Sequence, residues 1–365
     1  MYSLTSFEEI EALVYGATFF GTGGGGNPIR GLNLLLKSFK VKKKIDIINI
    51  EELSEEEMIV CPYYVGTIAP TAKTKKAIKI EEPISLAIEK MENILGKKIG
   101  AIVASELGGA NTAVAVSIAT EMGIPIIDGD LLGRAAPELH QCTVHIFGIP
   151  MYPSILVTET GNIVMVEKYA DIDDYESIAR YLSVLAGRFV VVVDTPLNKE
   201  NGRKAIVKGT ISKCIEVGKI IKKSKDKGRV LIEDIIKATN GWEIFEGIIK
   251  KYNWKDEGGF LYGEVFLEGI NKWKNHNLKS WIKNEHIMVW RDNKPIVMPP
   301  DLMSFILDDG NIVTNSDLKE GMKVHAIAIK SPEVWRTPKG LELFGPRHFG
   351  FDIDYVPIEK LISEI

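Results

Sequence analysis

Apolar positions along the first half of the chain follow two alternating periods. Ile10, Leu13 and Val14 fall on one face of a helix, with Ser6 as N-cap and Glu9 at the capping-box position, so 6–20 is expected to be helical. NPIRGLNLLLKSFK (27–40) reads as a second helix with Pro28 near its first turn. IDIINI (45–50) and EEMIVCPYYVG (56–66) read as strands, the second followed by a loop. EPISLAIEKMENILG (82–96) is an amphipathic helix closed by Gly96, and KIGAIVASELGG (98–109) a buried strand with a polar, glycine-rich end. ANTAVAVSIATEMG (110–123) is a helix closed by Gly123, and IPIIDGD (124–130) another strand. Strands alternating with helices predict an α/β domain built on a largely parallel sheet.

The rhythm changes in the second half. Residues 171–197 read as helix then strand, and 204–224 as a strand before a helix over Thr210–Lys223. From 241 to about 335, short alternating strands and Gly/Asn turns predict a β-rich, barrel- or sandwich-like domain, with VHAIAIKSP (324–332) as one strand. The expected division is an α/β domain over 1–168 and a C-terminal region over 169–365 whose tail folds back toward the first domain. Trp281, Trp290 and Trp335 are expected in a core or an interface.

Between the first two helices lies GTGGGG, Gly21 to Gly26, which fits the dinucleotide fingerprint G-x-G-x-x-G. That fingerprint needs a strand before the glycines and a helix after them, and here a helix leads in. Two other readings remain. The free amides form an anion-binding nest, or the glycines permit a tight crossover between packed helices.

Composition narrows the function classes. The chain has 365 residues, a length suited to two domains, with 45% hydrophobic and 26% charged residues. A net charge of −4 and the short, interrupted Lys clusters at 40–44 and 222–229 argue against nucleic acid as a partner. The acidic N-terminal segment lacks the basic region of a signal peptide, and no apolar run is long enough to span a membrane. Cys61, Cys142 and Cys214 are odd in number and far apart, which argues against a disulfide framework or a CxxC zinc site. A cytoplasmic protein is expected.

In parallel sheets, ligands bind beyond the carboxyl ends of the strands. The strand ending near 104 delivers Glu106 and Asn111 there, and its expected neighbour delivers Asp128, Asp130, Arg134, Glu138 and His140. Clustered carboxylates raise one another's pKa, bind a metal or hold a cation. The alternative is that Asp128 or Asp130 caps a helix beginning in DGDLLGRAAPEL. His140, Cys142 and His145 resemble a metal set, but in a strand over QCTVHIFGI that spacing scatters them onto different faces. Cys142 as nucleophile is disfavoured by its apolar surroundings. In the second half, Asn284 and Glu285 interrupt a strand-like run, Asp301 follows two prolines, and Arg347 and His348 lie in the loop GPRHFGFD. Arg347 suits either a substrate clamp or an interdomain salt bridge.

The segments FGTGGGGNP, ASELGGAN, IPIIDGDLLGRAAPEL, KNEHIMVW, MPPDLMSFI and GPRHFGFDIDYVPI together resemble the S-methyl thiohydantoin desulfurase family, whose members often accompany hydantoinase and oxoprolinase proteins. The resemblance spans nearly the whole chain. It implies two domains and a hydrolase that replaces the S-methyl group of a five-membered ring with oxygen, releasing methanethiol. His140 departs from the Met-like residue usual in the family. Under this reading Asp128 or Asp130 serves as general base and Glu106 or Glu138 protonates the leaving group, or these acids hold a divalent metal. Arg134, Asn111, Arg347 and the amides of Gly23, Gly24, Gly25 and Gly26 bind the ring's carbonyls or developing charge. A homo-oligomer or a hydantoinase-type partner is expected. Two alternatives stay open: a non-catalytic partner subunit of a hydantoinase or oxoprolinase complex, and a nucleotide-binding protein acting through GTGGGG.

Overall fold

The computed structural model describes residues 1–66, 77–187 and 189–363, so most of the loop expected after residue 66 lies outside the described residues. The N-terminal elements are β1 (Tyr2–Leu4), α1 (Phe7–Phe20), α2 (Pro28–Lys42), β2 (Ile45–Ile48), β3 (Met58–Gly66), α3 (Pro83–Leu95), β4 (Ile99–Ala104), α4 (Asn111–Met122) and β5 (Ile126–Asp130). Local chemistry sets their ends. Ser6 and Glu9 form both halves of the capping box on α1, and Asn27 caps α2 with Pro28 in its first turn. Gly96 and Gly123 close α3 and α4 in the left-handed region, at φ 61° and 73°.

The chain continues through α5 (Thr143–Ile146), the hairpin β6 (Ser154–Val157) and β7 (Ile163–Val166), α6 (Ile172–Ala186), β8 (Phe189–Leu197), α7 (Lys199–Ala205), β9 (Val207–Lys208), α8 (Thr210–Lys227) and α9 (Ile232–Thr239). The strand expected over QCTVHIFGI is instead the single turn of α5. The Thr143 amide and hydroxyl both donate to the Leu131 carbonyl, at 2.9 Å each, and the hydroxyl also reaches Ala205 O, so the segment packs on the sheet's end instead of joining it.

Among the described residues, nine strands form the first sheet, in the order β1-β2-β5-β4-β3-β8-β6-β7 with β9 beside β5. Its centre, β2-β5-β4-β3, is parallel, and antiparallel strands extend it on both sides. β8 lies between β3 and β6, so the sheet draws strands from both sides of residue 168. Alternate strand residues face two cores. Ile47, Val60 and Ile102 pack with α1, α3, α4 and α8, while Ile48, Ile59 and Val103 pack with α6 and α7. α1 and α8 cross closely because Gly16 and Gly218 admit the partner backbone; a Cβ at either would collide with Cys214 O or Ala12 O.

The second sheet is antiparallel: β10 (Trp242–Glu257), β11 (Phe260–Gly269), β12 (Asn277–Lys283), β13 (Glu285–Arg291), β14 (Lys294–Val297), β15 (Leu302–Leu307) and β16 (Lys323–Ile329). Its order is β14-β13-β12-β11-β10-β16-β15, and it curls into a half-barrel around its own core of Phe245, Val265, Met288 and Phe305. The C-terminal helices α10 (Pro338–Phe344) and α11 (Ile358–Ser363) follow. Trp335 is fully buried and donates from Nε1 to Leu132 O at 2.7 Å, which fastens the tail to the end of the first sheet. Trp281 and Trp290 pack against the second core. Among the described residues, no helix is long and apolar enough to cross a membrane.

Candidate functional site

A cavity of about 280 Å³ opens at the carboxyl ends of β3 and β4. Its walls come from distant parts of the chain: Gly23–Gly26, the end of β3, Glu106 and Asn111, the segment after β5, and Asn284 and Glu285 from the second sheet. Glu106 is held at one wall by neutral donors. Its Oε1 accepts from Asn111 Nδ2 at 2.7 Å and its Oε2 from the Ala136 amide at 3.0 Å. Asn111 is itself fixed, since its Oδ1 accepts from the Tyr64 amide at 3.2 Å. Burial pushes the Glu106 carboxyl up to about 7.

The glycine run is explained by close approach. Thr22, Gly23, Gly25 and Gly26 all have positive φ, between 51° and 88°. A Cβ on Gly23 would strike the Asn315 side chain, on Gly24 the Glu285 carboxyl, on Gly25 the Gly108 backbone and on Gly26 the Ala110 side chain. The loop is also sewn to the second sheet: His286 N donates to Thr22 O at 2.9 Å and Asn315 N to Gly23 O at 2.8 Å. Gly25 O accepts from the Ala110 and Asn111 amides at the start of α4. The loop runs from helix to helix, so it is not the strand-to-helix turn of a dinucleotide site.

Glu285 brings a further acid to the cavity from the second sheet. Asn284, in the left-handed region at φ 56°, turns the chain from β12 into β13 and leaves Glu285 facing the loop. Glu285 Oε1 accepts from the Gly25 amide at 3.3 Å, and Oε2 is buried without a partner among the described residues. Burial first, and then the nearby Glu106 charge, push this carboxyl well above the carboxylate range. The signal in the sequence was the polar pair breaking an apolar strand.

The other expected acids lie elsewhere or are already engaged. Asp128 Oδ1 accepts from Ser212 N at 2.9 Å and Oδ2 from Ser212 Oγ, so it caps the first turn of α8 and does not line the cavity. Asp130 closes a turn by accepting from the Leu132 and Gly133 amides at 3.0 and 2.6 Å, with burial raising it to about 7. No helix begins in that segment. Glu138 does line the cavity, but it accepts from Lys283, from His348 Nε2 at 2.6 Å and from Gln141 Nε2 at 3.0 Å. Although burial opposes it, these partners hold Glu138 well below the usual carboxylate range, which leaves it no proton to give.

The two expected arginine clamps are also engaged. Arg134 is fully buried and donates to Ala135 O, Pro300 O, Asp301 O, Thr22 Oγ1 and His286 O at 2.8–3.2 Å. It pins the two sheets together and does not line the cavity. Arg347 is exposed and pairs with Asp352 and Asp354 of its own loop. His348, four-fifths buried, instead joins the seam through Glu138.

The donor atoms of Glu106, Asp128 and Asp130 do not converge on a point where a metal would sit. His140, Cys142 and His145 do not either: His140 pairs with Asp173 at 2.9 Å and His145 reaches Leu139 O at 3.1 Å. Among the described residues the atoms that do converge belong to Glu246, Asp308 and His325, away from the cavity, where Lys323 already pairs with both acids. Cys61 and Cys142 line the cavity, but burial pushes both thiols up, away from a reactive thiolate.

Residues 8–168 match the S-Me-THD-like N-terminal domain and residues 170–358 the S-Me-THD-like C-terminal domain. The chain belongs to the S-methyl thiohydantoin desulfurase-like family. No curated protein matches this S-Me-THD-like chain. A crystal structure of a protein from Chromobacterium violaceum is similar over 98% of this chain and 100% of that one, with a TM-score of 0.80 and 22% identity. A likeness at that identity shows a shared fold.

Proposed function

We propose that this S-Me-THD-like chain is a hydrolase acting on a hydantoin-like or S-methyl-thiohydantoin-like five-membered ring. The observation that carries the reading is Glu106, a half-buried carboxyl at the carboxyl end of a parallel strand, opening into a cavity of about 280 Å³. A volume near the lower end of the roughly 300–1,000 Å³ range for ligand pockets suits a small ring. Hydrolysis adds water to the ring carbon bearing the methylthio group. The C–S bond then breaks, methanethiol leaves, and the carbon keeps the oxygen. A base must take the water's proton, and a base works best with its pKa near the operating pH, which burial gives Glu106 at about 7. Asn111 and the Ala136 amide fix its orientation. The Gly23 and Gly26 amides donate to no acceptor among the described residues, so they remain for a ring carbonyl or developing negative charge.

The test is thiol release from a synthetic S-methyl thiohydantoin by the purified chain. Glu106→Gln is expected to lower kcat by about 100-fold or more while the protein stays folded. Wild-type activity should rise as pH rises through about 7, since the raised pKa keeps the base protonated below that point. A Glu106→Gln variant with the wild-type rate overturns the reading. No turnover alone, with co-purification of a hydantoinase-type protein, would instead mark a partner subunit.

A further inference from the structure

Ring hydrolysis needs a proton donor as well as a base, and Glu138 is locked in ion pairs. We infer that Glu285 is the donor: the second sheet lends the cavity a catalytic acid, and Glu285 and Glu106 pass one proton between them through the cycle. The inference rests on the hydrolase reading above.

Geometry carries it. Glu285 is 2% exposed and lines the cavity, and its Oε2 is buried without a hydrogen-bond partner among the described residues. Its seat is made for it, because Gly24 has no Cβ to collide with Oε1 and the Gly25 amide donates to that same oxygen. The charged groups acting on it are Glu106, Arg134 and Arg180. Neither arginine bonds to it. Arg134 is engaged by four carbonyls and the Thr22 hydroxyl, and Arg180 by Glu176 and the carbonyls of Gly66, Gly259 and Pro137. A buried carboxyl with no cation bonded to it, facing a second carboxyl, keeps its proton. In that form its free oxygen is an O–H donor. Two interacting acids with one proton titrate as a pair.

The cycle closes without another reactant. Glu106 starts ionised and Glu285 protonated. Water oxygen bonds to the ring carbon, its proton goes to Glu106, and Glu285 protonates the adjacent ring nitrogen. The tetrahedral adduct then collapses: its hydroxyl proton returns to Glu285, the C–S bond breaks, and Glu106 protonates the departing methanethiolate. Both carboxyls end as they began.

Two measurements on the full chain test this. Glu285→Gln still accepts from the Gly25 amide but has no acidic proton, so kcat for a synthetic S-methyl thiohydantoin should fall about 100-fold or more, with KM little changed and the alkaline limb of the pH profile lost. Carbon-13 NMR of labelled glutamate carboxyls needs no substrate. It should show Glu285 protonated near neutral pH in the wild type, with its titration moving to lower pH in Glu106→Gln. Wild-type turnover in Glu285→Gln, or Glu285 ionised near neutral pH, overturns the inference. A wild-type chain that releases no thiol yet shows the paired titration overturns the hydrolase reading and supports the shared proton. The wild-type NMR titration stands even where a variant fails to fold.

Discussion

Glu106 and Glu138 are half-buried carboxyls on one cavity, and they behave in opposite ways. Glu106 meets only the neutral donors of Asn111 and Ala136, and burial lifts it to about 7. Glu138, at the seam between the sheets, meets Lys283 and His348 and is held well below the ordinary range. The same contrast separates Glu285 from Asp301. The first lacks a bonded cation, and the second receives Arg336, Tyr355, Ser331 and the Ile358 amide. Residue type therefore says little about an acid here. Among these four carboxyls, a bonded cation marks Glu138 and Asp301 as structural, and Glu106 and Glu285, bonded only by neutral donors, are the two placed to exchange protons.

The comparison is broken most severely at the seam itself. Arg134→Met leaves five oxygens without their donor, and denaturant unfolding should show a loss of at least about 3 kcal/mol. A loss under about 1 kcal/mol would mean that the two sheets dock without it. Lys283→Met takes the cation from Glu138 and should cost about 1.5–3 kcal/mol at neutral pH, in the range for hydrogen bonds to charged groups. Glu138's depressed pKa contributes stability above its unfolded pKa and loses it as pH falls below that value. The gap between Lys283→Met and wild type should therefore shrink on acidification, and a gap constant with pH would assign the cost to packing. Asp128→Asn sharpens the contrast with the least effect. It weakens a helix cap by about 0.5–2 kcal/mol and leaves thiol release unchanged. Lost turnover in that folded variant would move the base from β4 to β5.

Much of the fold was legible because it is written locally. Ser6, Glu9, Pro28, Gly96 and Gly123 mark helix ends through contacts within a few residues. The antiparallel additions to the first sheet were less visible, since β8 reads the same whether it pairs with β3 or not. The candidate site was legible only in part. Glu106, Asn111 and the glycine loop stand at strand and helix ends, where a parallel sheet exposes them. Asp128 looked equivalent, but its partner Ser212 lies 84 residues on, and no pattern near Asp128 announces that cap. Arg134 misled for the same reason, because its acceptors Pro300 and Asp301 lie 166 and 167 residues away.

The glycine loop is synthesised 260 residues before the carboxyl that fills its gap. A growing chain can complete the parallel centre of its first sheet and still hold nothing against Gly24. Under the proposed chemistry, the enzyme is switched on by the end of translation and not by the folding of its first half. A message cut short anywhere before residue 285 would yield an inert product, and two halves made separately would have to find each other before either could turn over a single ring.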